Sequence, residues 1–378
     1  MAMILNDEQI LLQQSAQDLS EKVATVEQFR TLRDAKQRYH DPALWQQIAA
    51  LGWTGIIIPE DWGGSEFGYL GLGLVLQQLG RHLTPSPLFS TGFLAAELLI
   101  QAGSNQQKDQ YLPKIVDGSA IFSFAHEEHT RHSLNNISFS AQKQASGYIL
   151  SGEKVFVIDG ELADHYLVTA RTSGQRGDPT GISIFILDAD IPGLTKTQLT
   201  TVDSRNVANL GLDQVKVEAS ACLGELGNAA PLLQNVFDKA SILLASEMLG
   251  AAEQVFESTI DYLKEREQFG VTIGSFQALK HRAADMFVEL DIAKSVVREA
   301  LSALDEGSKE ISQLASLAKT RLNDCLTLIT NEGVQMHGGM GMTDEFDIGL
   351  YMKRSRVTNQ LFGDSHFHRD RFASLGGY

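Results

Sequence analysis

The chain has 378 residues, of which 43% are hydrophobic, so it can form about two or three domains with sizeable cores. Its formal net charge of −16 argues against non-specific nucleic-acid binding, because contacts with phosphates need clustered Lys and Arg. Cys222 and Cys325 lie far apart without the spacing of metal ligands, which predicts a reducing compartment, no disulfide and no metal site. The sequence shows no signal-like start and no apolar run of membrane-spanning length, so we expect a cytoplasmic protein.

Residues 1–118 predict a helical N-terminal domain. Asn6 or Asp7 is a suitable N-cap for a first amphipathic helix, in which the apolar residues from Ile10 to Val23 follow roughly helical spacing. Further helical segments, separated by Gly and Pro, fill the rest of this region.

Residues 119–226 predict a middle antiparallel β-domain, either a small barrel or a sandwich. Short segments rich in β-branched and aromatic residues, such as GYILSGEKVFVI and GISIFILDA, are separated by Gly, Asp, Asn and Ser. Strands at this spacing are typical of compact all-β architectures.

Residues 227–378 predict a C-terminal four-helix bundle. The stretch from Pro231 to Gly270 has the pattern of one helix of more than about 30 residues. Two more long helical segments follow, and the tail supplies a fourth helix. Long helices with short connections favour antiparallel bundle packing. The predicted fold class is therefore α+β multidomain, in the order helical, β, helical bundle.

The segment 266–286 carries the first motif: Arg-x-Gln-Phe-Gly, then Ser-Phe-Gln, then Ala-Asp-Met. By composition alone its apolar residues could merely separate two helices, but this order closely resembles the signature of the acyl-CoA dehydrogenase family. The resemblance implies that Arg266 binds the pyrophosphate of FAD with its fixed fork of donors. Gln268, Phe269 and Gln277 would then line the dinucleotide.

A second motif, QMHGGMGMTDE at 335–345, is rich in glycine and could merely stop a helix. It resembles the Gln-x-x-Gly-Gly-x-Gly turn of the same family, in the correct order after the first motif. There the backbone approaches the FAD of the neighbouring subunit, where side chains would not fit. Gln335, Gly338 and Gly339 match this turn, so we expect them to bind the cofactor of a second chain.

Weaker similarities at 44–65 and 151–171 extend the resemblance over nearly the whole chain. The resemblance implies a non-covalent FAD between subunits, an acyl-CoA substrate and an oligomer, by default a dimer of dimers. An electron-transferring flavoprotein would reoxidise the reduced FAD.

Two departures from the family lie in the predicted β-domain. The family's glycine-rich loop against flavin and substrate is replaced by AHEEHTRHSLNN at 125–136, which has gained histidines and charge. This segment is either a drifted surface loop or a reshaped mouth of the pocket. The tryptophan that usually covers the flavin is replaced by Phe156, whose ring can still stack.

The third departure concerns the catalytic base. Most family members place a glutamate directly before a Gly-Thr pair near the C-terminus, whereas here Phe362 precedes Gly363 and Asp364. A phenyl ring cannot accept the α-proton, but the Phe362 backbone N–H could still donate to the thioester carbonyl. Asp364 lies where the family places a threonine that faces the cofactor. The polar residues further along the tail are expected at the surface or facing CoA: His366, His368 and Arg369.

Some branches of the family carry the base on the first helix of the bundle, where the equivalent position is Ala240. Glu247 lies two turns further along the same face, about 10 Å along the axis. It sits in an apolar stretch, where an unpaired carboxylate is expensive. Glu247 is therefore predicted either to be the catalytic base or to pair with a cation of a neighbouring helix, for which the candidates are Lys280, His281 and Arg282.

With Glu247 as base, the predicted reaction is FAD-dependent α,β-dehydrogenation of an acyl-CoA to the trans-2-enoyl-CoA. Phe362 and the small residues Ala240 and Ser241 indicate a differently shaped pocket. The tail resembles a bacterial branch linked to bulky acyl groups, including steroids, in which two different chains often assemble. A bulky, branched or cyclic acyl group is the predicted substrate.

Two rival functions stay open at the level of sequence. One is a non-catalytic subunit that binds FAD and CoA within a heteromeric dehydrogenase, with Phe362 and Ala240 marking the lost chemistry. The other is a flavin oxidase or monooxygenase on the same scaffold.

Overall fold

The computed structural model describes residues 4–35 and 40–378 of the chain. They fold into two compact units. The first unit comprises the N-terminal segment to Arg30, Tyr69–Thr84 and Ser241–Tyr378. The second comprises Thr31–Gly68 and Pro85–Ala240. The helical N-terminal region therefore contributes segments to both units, and the three-part division at residues 118 and 226 stays a prediction.

The α-helices of the described residues are, in chain order, α1 (Asp7–Lys22), α2 (Val26–Asp34), α3 (Pro42–Ala50), α4 (Tyr69–Arg81), α5 (Ala96–Ala102), α6 (Asn105–Val116), α7 (Ala230–Glu265), α8 (Gln277–Asp305), α9 (Ile311–His337), α10 (Ile348–Thr358) and α11 (Ser365–Leu375). A π-helix, Leu88–Ala95, precedes α5. The N-cap of α1 is Asn6, whose side chain accepts from the backbone of Gln9 while the Gln9 side chain accepts from the backbone of Asn6.

The strands are β1 (Phe122–Ala125), β2 (Ser140–Lys143), β3 (Gly147–Ile158), β4 (His165–Arg171), β5 (Ile182–Asp188), β6 (Leu194–Gln198), β7 (Val207–Glu218), β8 (Cys222–Leu223), β9 (Glu267–Gln268) and β10 (Val271–Thr272). The last two form a separate hairpin in the first unit.

In the first unit, α9 packs against α8, α10 and α11, while α8 also packs against α4 and α4 against α1. The predicted helical bundle is present, but the sequence interpretation of the tail as a single helix was wrong. The tail divides into α10 and α11 because Phe362 and Gly363 both adopt positive φ, +57° and +113°, which a continuing helix cannot accommodate.

Two glycines allow α4 and α7 to approach closely within the first unit. A Cβ added at Gly80 would lie 2.1 Å from the carbonyl oxygen of Glu247, and one added at Gly250 would lie 1.8 Å from that of Gln77. The Ser246 hydroxyl donates to the carbonyl of Gly73 at the same crossing. This backbone contact fixes the position of the α7 turn that carries Glu247.

In the second unit the strand order is β6-β7-β3-β2-β4-β5-β8, and β1 pairs with β4. Most pairs are antiparallel, as predicted, with Tyr166, Leu167 and Phe185 fully buried. The exceptions are β1 with β4 and the short contact of β2 with β4, which are parallel. The prediction of an antiparallel β-domain was therefore correct for most strand pairs and wrong for these two. The intervening β2 and β3 make the connection from β1 to β4 long enough for parallel pairing.

In residues 4–35 and 40–378, each helix is too short or too polar to cross a bilayer.

Candidate active site and dinucleotide-binding surface

Glu247 lies on the α7 turn that contacts α4, between the fully buried Leu243 and Leu249. Its side chain is 14% exposed and makes an ion pair with Arg354 of α10. Nε and Nη2 of Arg354 donate to the same carboxylate oxygen, Oε1, at 3.0 and 2.7 Å. The cost of burying the carboxylate is thus offset by a charged hydrogen-bond partner.

The cation beside Glu247 is therefore none of the three proposed from the sequence. Arg282 of α8 pairs instead with Glu332 of α9, which engages its guanidinium. Arg354 is 107 residues from Glu247 in the chain, so only the packing of the bundle brings the two together.

Phe362 occupies the turn between α10 and α11 and is 9% exposed. Its carbonyl oxygen accepts a hydrogen bond from Nε2 of His368 at 3.1 Å. His368 is 1% exposed, so the expectation of a surface or CoA-facing residue was wrong for this histidine. It lies on the inner face of α11, where Nδ1 also approaches Ser316 of α9 at 3.4 Å. His366 and Arg369 are exposed, and Arg369 pairs with Asp324.

Asp364 is the N-cap of α11. Its Oδ1 accepts from the backbone N–H of Phe367 at 2.9 Å, which satisfies one of the free donors of the first turn. This capping bond explains Asp364 locally and engages one of the two oxygens that could face a cofactor.

The motif around Arg266 forms an exposed surface at the end of α7. Arg266 directly follows the helix, Gln268 and Phe269 belong to the β9–β10 hairpin, and Gln277 begins α8. Phe269 is 92% exposed with φ +56°, and its ring meets Phe276 edge-on at 6.2 Å. Val271 and Phe276 of the same segment are also exposed, and a group of exposed apolar side chains is typical of a surface that another molecule covers.

The glycine motif lies at the same end of the first unit. The Tyr262 ring, one turn before Arg266, stacks on His337 at 4.3 Å, and His337 directly precedes Gly338. Gly338 has φ +60° and ends α9. A Cβ built on Gly338 or Gly339 would meet no atom within 4 Å, so this backbone faces open space. Gln335 is exposed on the last turn of α9.

Phe156 lies in the second unit, where β3 and β7 change register between Lys154 and Val157. It is half-buried with φ +53°, and its N–H donates to Oδ1 of Asn209 at 3.0 Å. Such a bulge re-aims a side chain relative to the regular strand. The sequence offered no signal for this left-handed conformation, since Phe rarely adopts it.

The segment 125–136 is anchored by a buried lysine that sequence reasoning missed. Lys154 is fully buried, and its Nζ donates to Glu128 Oε1 at 2.7 Å, the His126 carbonyl at 3.0 Å and Thr169 Oγ1 at 3.0 Å. Burial lowers the pKa of Lys154 to about 8, although the Glu128 carboxylate opposes this. The interpretation as a drifted surface loop is therefore wrong for residues 126–128.

The imidazoles of this segment pack around Phe237 of α7. His126 lies 4.8 Å and His132 4.9 Å from the Phe237 ring, both edge-on. Burial lowers the pKa of His126 to about 4, and its Nδ1 has no hydrogen-bond partner among residues 4–35 and 40–378. Glu127 pairs with His132. Burial alone would raise the pKa of Glu127, but the neighbouring His132 holds that pKa below its usual value.

No group of three or more His, Cys, Asp or Glu side chains in the described part of the chain could hold a metal ion.

Models of three acyl-CoA dehydrogenase domains match the chain. The N-terminal domain matches residues 6–119, the middle domain 124–215 and the C-terminal domain 230–374. The chain therefore belongs to the acyl-CoA dehydrogenase family. The expected fold is confirmed, and so is the class of enzyme, an FAD-dependent acyl-CoA dehydrogenase.

Individual relatives agree with this assignment. Mitochondrial isovaleryl-CoA dehydrogenase of Pongo abelii is 30% identical over 365 residues, which are 95% of this chain and 84% of the relative. The structure of butyryl-CoA dehydrogenase from Megasphaera elsdenii matches with a TM-score of 0.92 and 27% identity over 100% of both chains. A variant of the Tcur3481-Tcur3483 steroid ACAD matches with a TM-score of 0.87 and 30% identity over 98% of both chains.

Proposed function

We propose that this acyl-CoA dehydrogenase oxidises the Cα–Cβ bond of a bulky, branched or cyclic acyl-CoA to the trans-2-enoyl-CoA. The observation that carries the substrate class is Phe362, a buried ring in the turn where most family members hold the catalytic glutamate. An aromatic ring in place of a flexible carboxylate changes the shape of the acyl site. The 30% identity with a steroid enzyme supports a large acyl group.

The exposed groups at the end of the first unit fit FAD. Arg266 offers a planar fork of donors suited to a pyrophosphate, and within the described residues its side chain makes no hydrogen bond or ion pair. Gln268 and Gln277 offer amides, and the exposed Phe269 ring offers a stacking face. When bound, FAD supplies the redox chemistry by accepting the hydride that leaves Cβ.

The cofactor served by this surface is proposed to be that of a second subunit. The backbone at Gln335, Gly338 and Gly339 faces open space and would allow the dinucleotide to approach closely. The α8 face also bears Phe287, Val288 and Ile292, each more than 40% exposed, which favours burial against another chain. Phe156 of the second unit is assigned to stack on the flavin, and Asp364 to face the cofactor with the oxygen that does not cap α11.

Glu247 is the proposed acceptor of the α-proton. Arg354 holds Oε1, so the proton would be taken up by Oε2. The two hydrogen bonds from the guanidinium fix the orientation of the carboxylate, which a general base requires. Arg354 is therefore the residue that positions the base in this proposal.

The backbone N–H of Phe362 is the proposed donor to the thioester carbonyl. A donor aimed at this oxygen stabilises the enolate-like charge that develops as the α-proton leaves. Polarising the carbonyl in this way acidifies the Cα–H bond and reduces the basicity that Glu247 must supply.

Anaerobic titration of the purified chain with acyl-CoA thioesters of increasing bulk tests this function. We expect yellow flavin absorbance that bleaches with a branched or ring-bearing acyl-CoA faster than with butyryl-CoA. Electron-transferring flavoprotein should restore the oxidised spectrum, because it is the proposed acceptor. Bleaching by butyryl-CoA at the same or a higher rate would refute the substrate class, and rapid peroxide formation in air would indicate an oxidase.

The second candidate is a cofactor-binding subunit without its own chemistry, favoured by the Glu247–Arg354 ion pair together with Phe362. Glu247 would then be a structural carboxylate of the bundle. A homologous partner chain would supply the base. A chain that gains FAD and activity only after such a partner is added would support this candidate.

A further inference from the structure

A lysine lies completely buried beneath the turn that contains Phe362. Lys319 of α9 is 0% exposed, and its Nζ donates to Asn323 Oδ1 at 2.8 Å, the Thr358 carbonyl at 2.9 Å and the Gly363 carbonyl at 3.2 Å. All three acceptors are uncharged. One belongs to the same helix, one to the last turn of α10 and one to the turn itself.

The burial of Lys319 is unfavourable for the stability of the folded state. Burial lowers the pKa of Lys319 to about 7, while the negative charge of Asp364 works in the opposite direction. The penalty arises because hydrogen bonds to neutral oxygens only partly replace the water around an ammonium. An apolar side chain of the same length would fill the space without this cost, but it could not donate to the Gly363 carbonyl.

The Lys319 ammonium holds a turn in which two consecutive residues have positive φ. Phe362 has φ +57° and Gly363 has φ +113°. A positive φ is strained for a phenylalanine, because its Cβ crowds the following carbonyl oxygen. A Cβ at Gly363 would lie 2.4 Å from the Phe367 ring and 3.0 Å from Nε2 of His368, so the turn is tightly enclosed.

Each carbonyl of this turn receives a hydrogen bond from a different buried side chain. His368 donates from Nε2 to the Phe362 carbonyl at 3.1 Å, and Lys319 donates to the Gly363 carbonyl. These two hydrogen bonds fix the peptide planes of Phe362–Gly363 and Gly363–Asp364. With φ of Phe362 set, the direction of its N–H is determined as well.

We propose that Lys319 and His368 are positioning residues for the reaction, because together they hold the Phe362–Gly363 turn so that the Phe362 N–H faces the thioester carbonyl. This inference rests on the proposed function of that N–H. Neither side chain touches the substrate in this proposal. Both act through the backbone of the turn.

Lys319→Met is the primary test, because methionine has a similar length and removes the three hydrogen bonds without leaving a charge. We expect the anaerobic rate of flavin reduction at saturating acyl-CoA to fall about 10- to 100-fold, since small misplacements of a catalytic donor have effects of this order. The apparent Kd for acyl-CoA should change less than about threefold. Lys22→Met, on the exposed face of α1, should retain the wild-type rate.

Amide hydrogen exchange separates a positioning role from a merely structural one, and it does not depend on activity. Exchange of the peptide covering residues 359–364 should become faster in Lys319→Met, while α7 and the β-sheet of the second unit keep their protection. A purely structural role would instead lower protection throughout and reduce FAD content, with an unchanged reduction rate in the remaining holoenzyme. Unchanged exchange at 359–364 would overturn the inference.

His368 gives an independent pair of variants if Lys319→Met does not fold. His368→Gln keeps a donor and should retain the reduction rate within about threefold, whereas His368→Leu should lose about tenfold and expose residues 359–364 to exchange. Equal behaviour of the two variants would refute the role of His368. If no acyl-CoA reduces the wild-type protein, the proposed function alone is refuted. The exchange measurement would then still test whether Lys319 and His368 hold the turn in place.

Discussion

At the scale of single residues, the proposed chemistry depends most on Glu247. Glu247→Gln keeps an oxygen that can accept from Arg354, so the bundle should stay folded and retain FAD and acyl-CoA. The amide cannot take up the α-proton. We expect flavin reduction by acyl-CoA, measured anaerobically in a stopped-flow instrument, to fall at least about 100-fold.

The matched control for Glu247 lies on the same helix. Glu253 has a similarly buried side chain, 11% exposed, and its Oε2 accepts from Nε2 of Gln77 at 2.7 Å and lies 3.4 Å from Nη1 of Arg81. Glu253→Gln should therefore reproduce any general effect of neutralising a buried α7 carboxylate while keeping the reduction rate within about threefold. If both variants reduce at the wild-type rate, Glu247 is a structural carboxylate and the base lies elsewhere.

Arg266 is the residue on which retention of the cofactor should depend. Within residues 4–35 and 40–378 the Arg266 side chain makes no hydrogen bond or ion pair, so Arg266→Ala removes the donors assigned to the pyrophosphate and should leave helical content unchanged. We expect FAD content after gel filtration to fall at least about fivefold, since a charge-assisted bidentate contact contributes on the order of 1.5–3 kcal/mol. Lys264→Ala removes an exposed charge two residues earlier and should retain FAD. Equal FAD content in both variants would contradict the pyrophosphate assignment.

At the scale of secondary-structure elements, the crossing of α4 and α7 is the contact least able to tolerate change. Gly80→Ala would place a Cβ 2.1 Å from the Glu247 carbonyl, so the helices must move apart. We expect a loss of about 2–4 kcal/mol in unfolding free energy and a reduced rate of flavin reduction, because the Glu247 turn shifts with α7. Gly349→Ala in α10, whose nearest contact is at 3.7 Å, should leave the midpoint of thermal unfolding unchanged or raise it. A Gly80→Ala protein as stable as the wild type would refute this close packing.

The elements themselves were largely predictable from the sequence, because their hydrophobic patterns are local. The 36 residues of α7 read as one helix because Pro231 lies in the first turn, where proline is tolerated, and Gly250 is the only glycine between Ala230 and Glu265. The break between α10 and α11 was missed because Phe362 gives no local signal for a positive φ. His368 was expected at the surface because its neighbours are polar, yet the helical period turns it inward.

At the scale of the whole molecule, sequence reasoning gave the family and the order of regions but not which distant side chains meet. Lys154 contacts Glu128 across 26 residues, and Arg354 contacts Glu247 across 107. Spacing along one helix predicts the face of a residue and not its partner on another element. The sequence shows which residue types are present, but only the folded structure shows which of these residues contact each other.

The stability of the whole molecule should fall in mild acid because of the histidine buried against Phe237. The pKa of His126 is about 4 in the fold and 6.5 ordinarily, so the unfolded chain binds a proton that the folded chain excludes. As the pH falls from about 6.5 to about 4, this group alone should remove about 3 kcal/mol of unfolding free energy. His126→Gln cannot titrate, so urea unfolding followed between pH 7 and pH 4.5 should show a smaller loss of stability than the wild type. His366→Gln, which alters an exposed histidine, should keep the wild-type slope. If His126→Gln and the wild type lose unfolding free energy equally as the pH falls, His126 takes up its proton in the folded protein. That result would contradict its buried position.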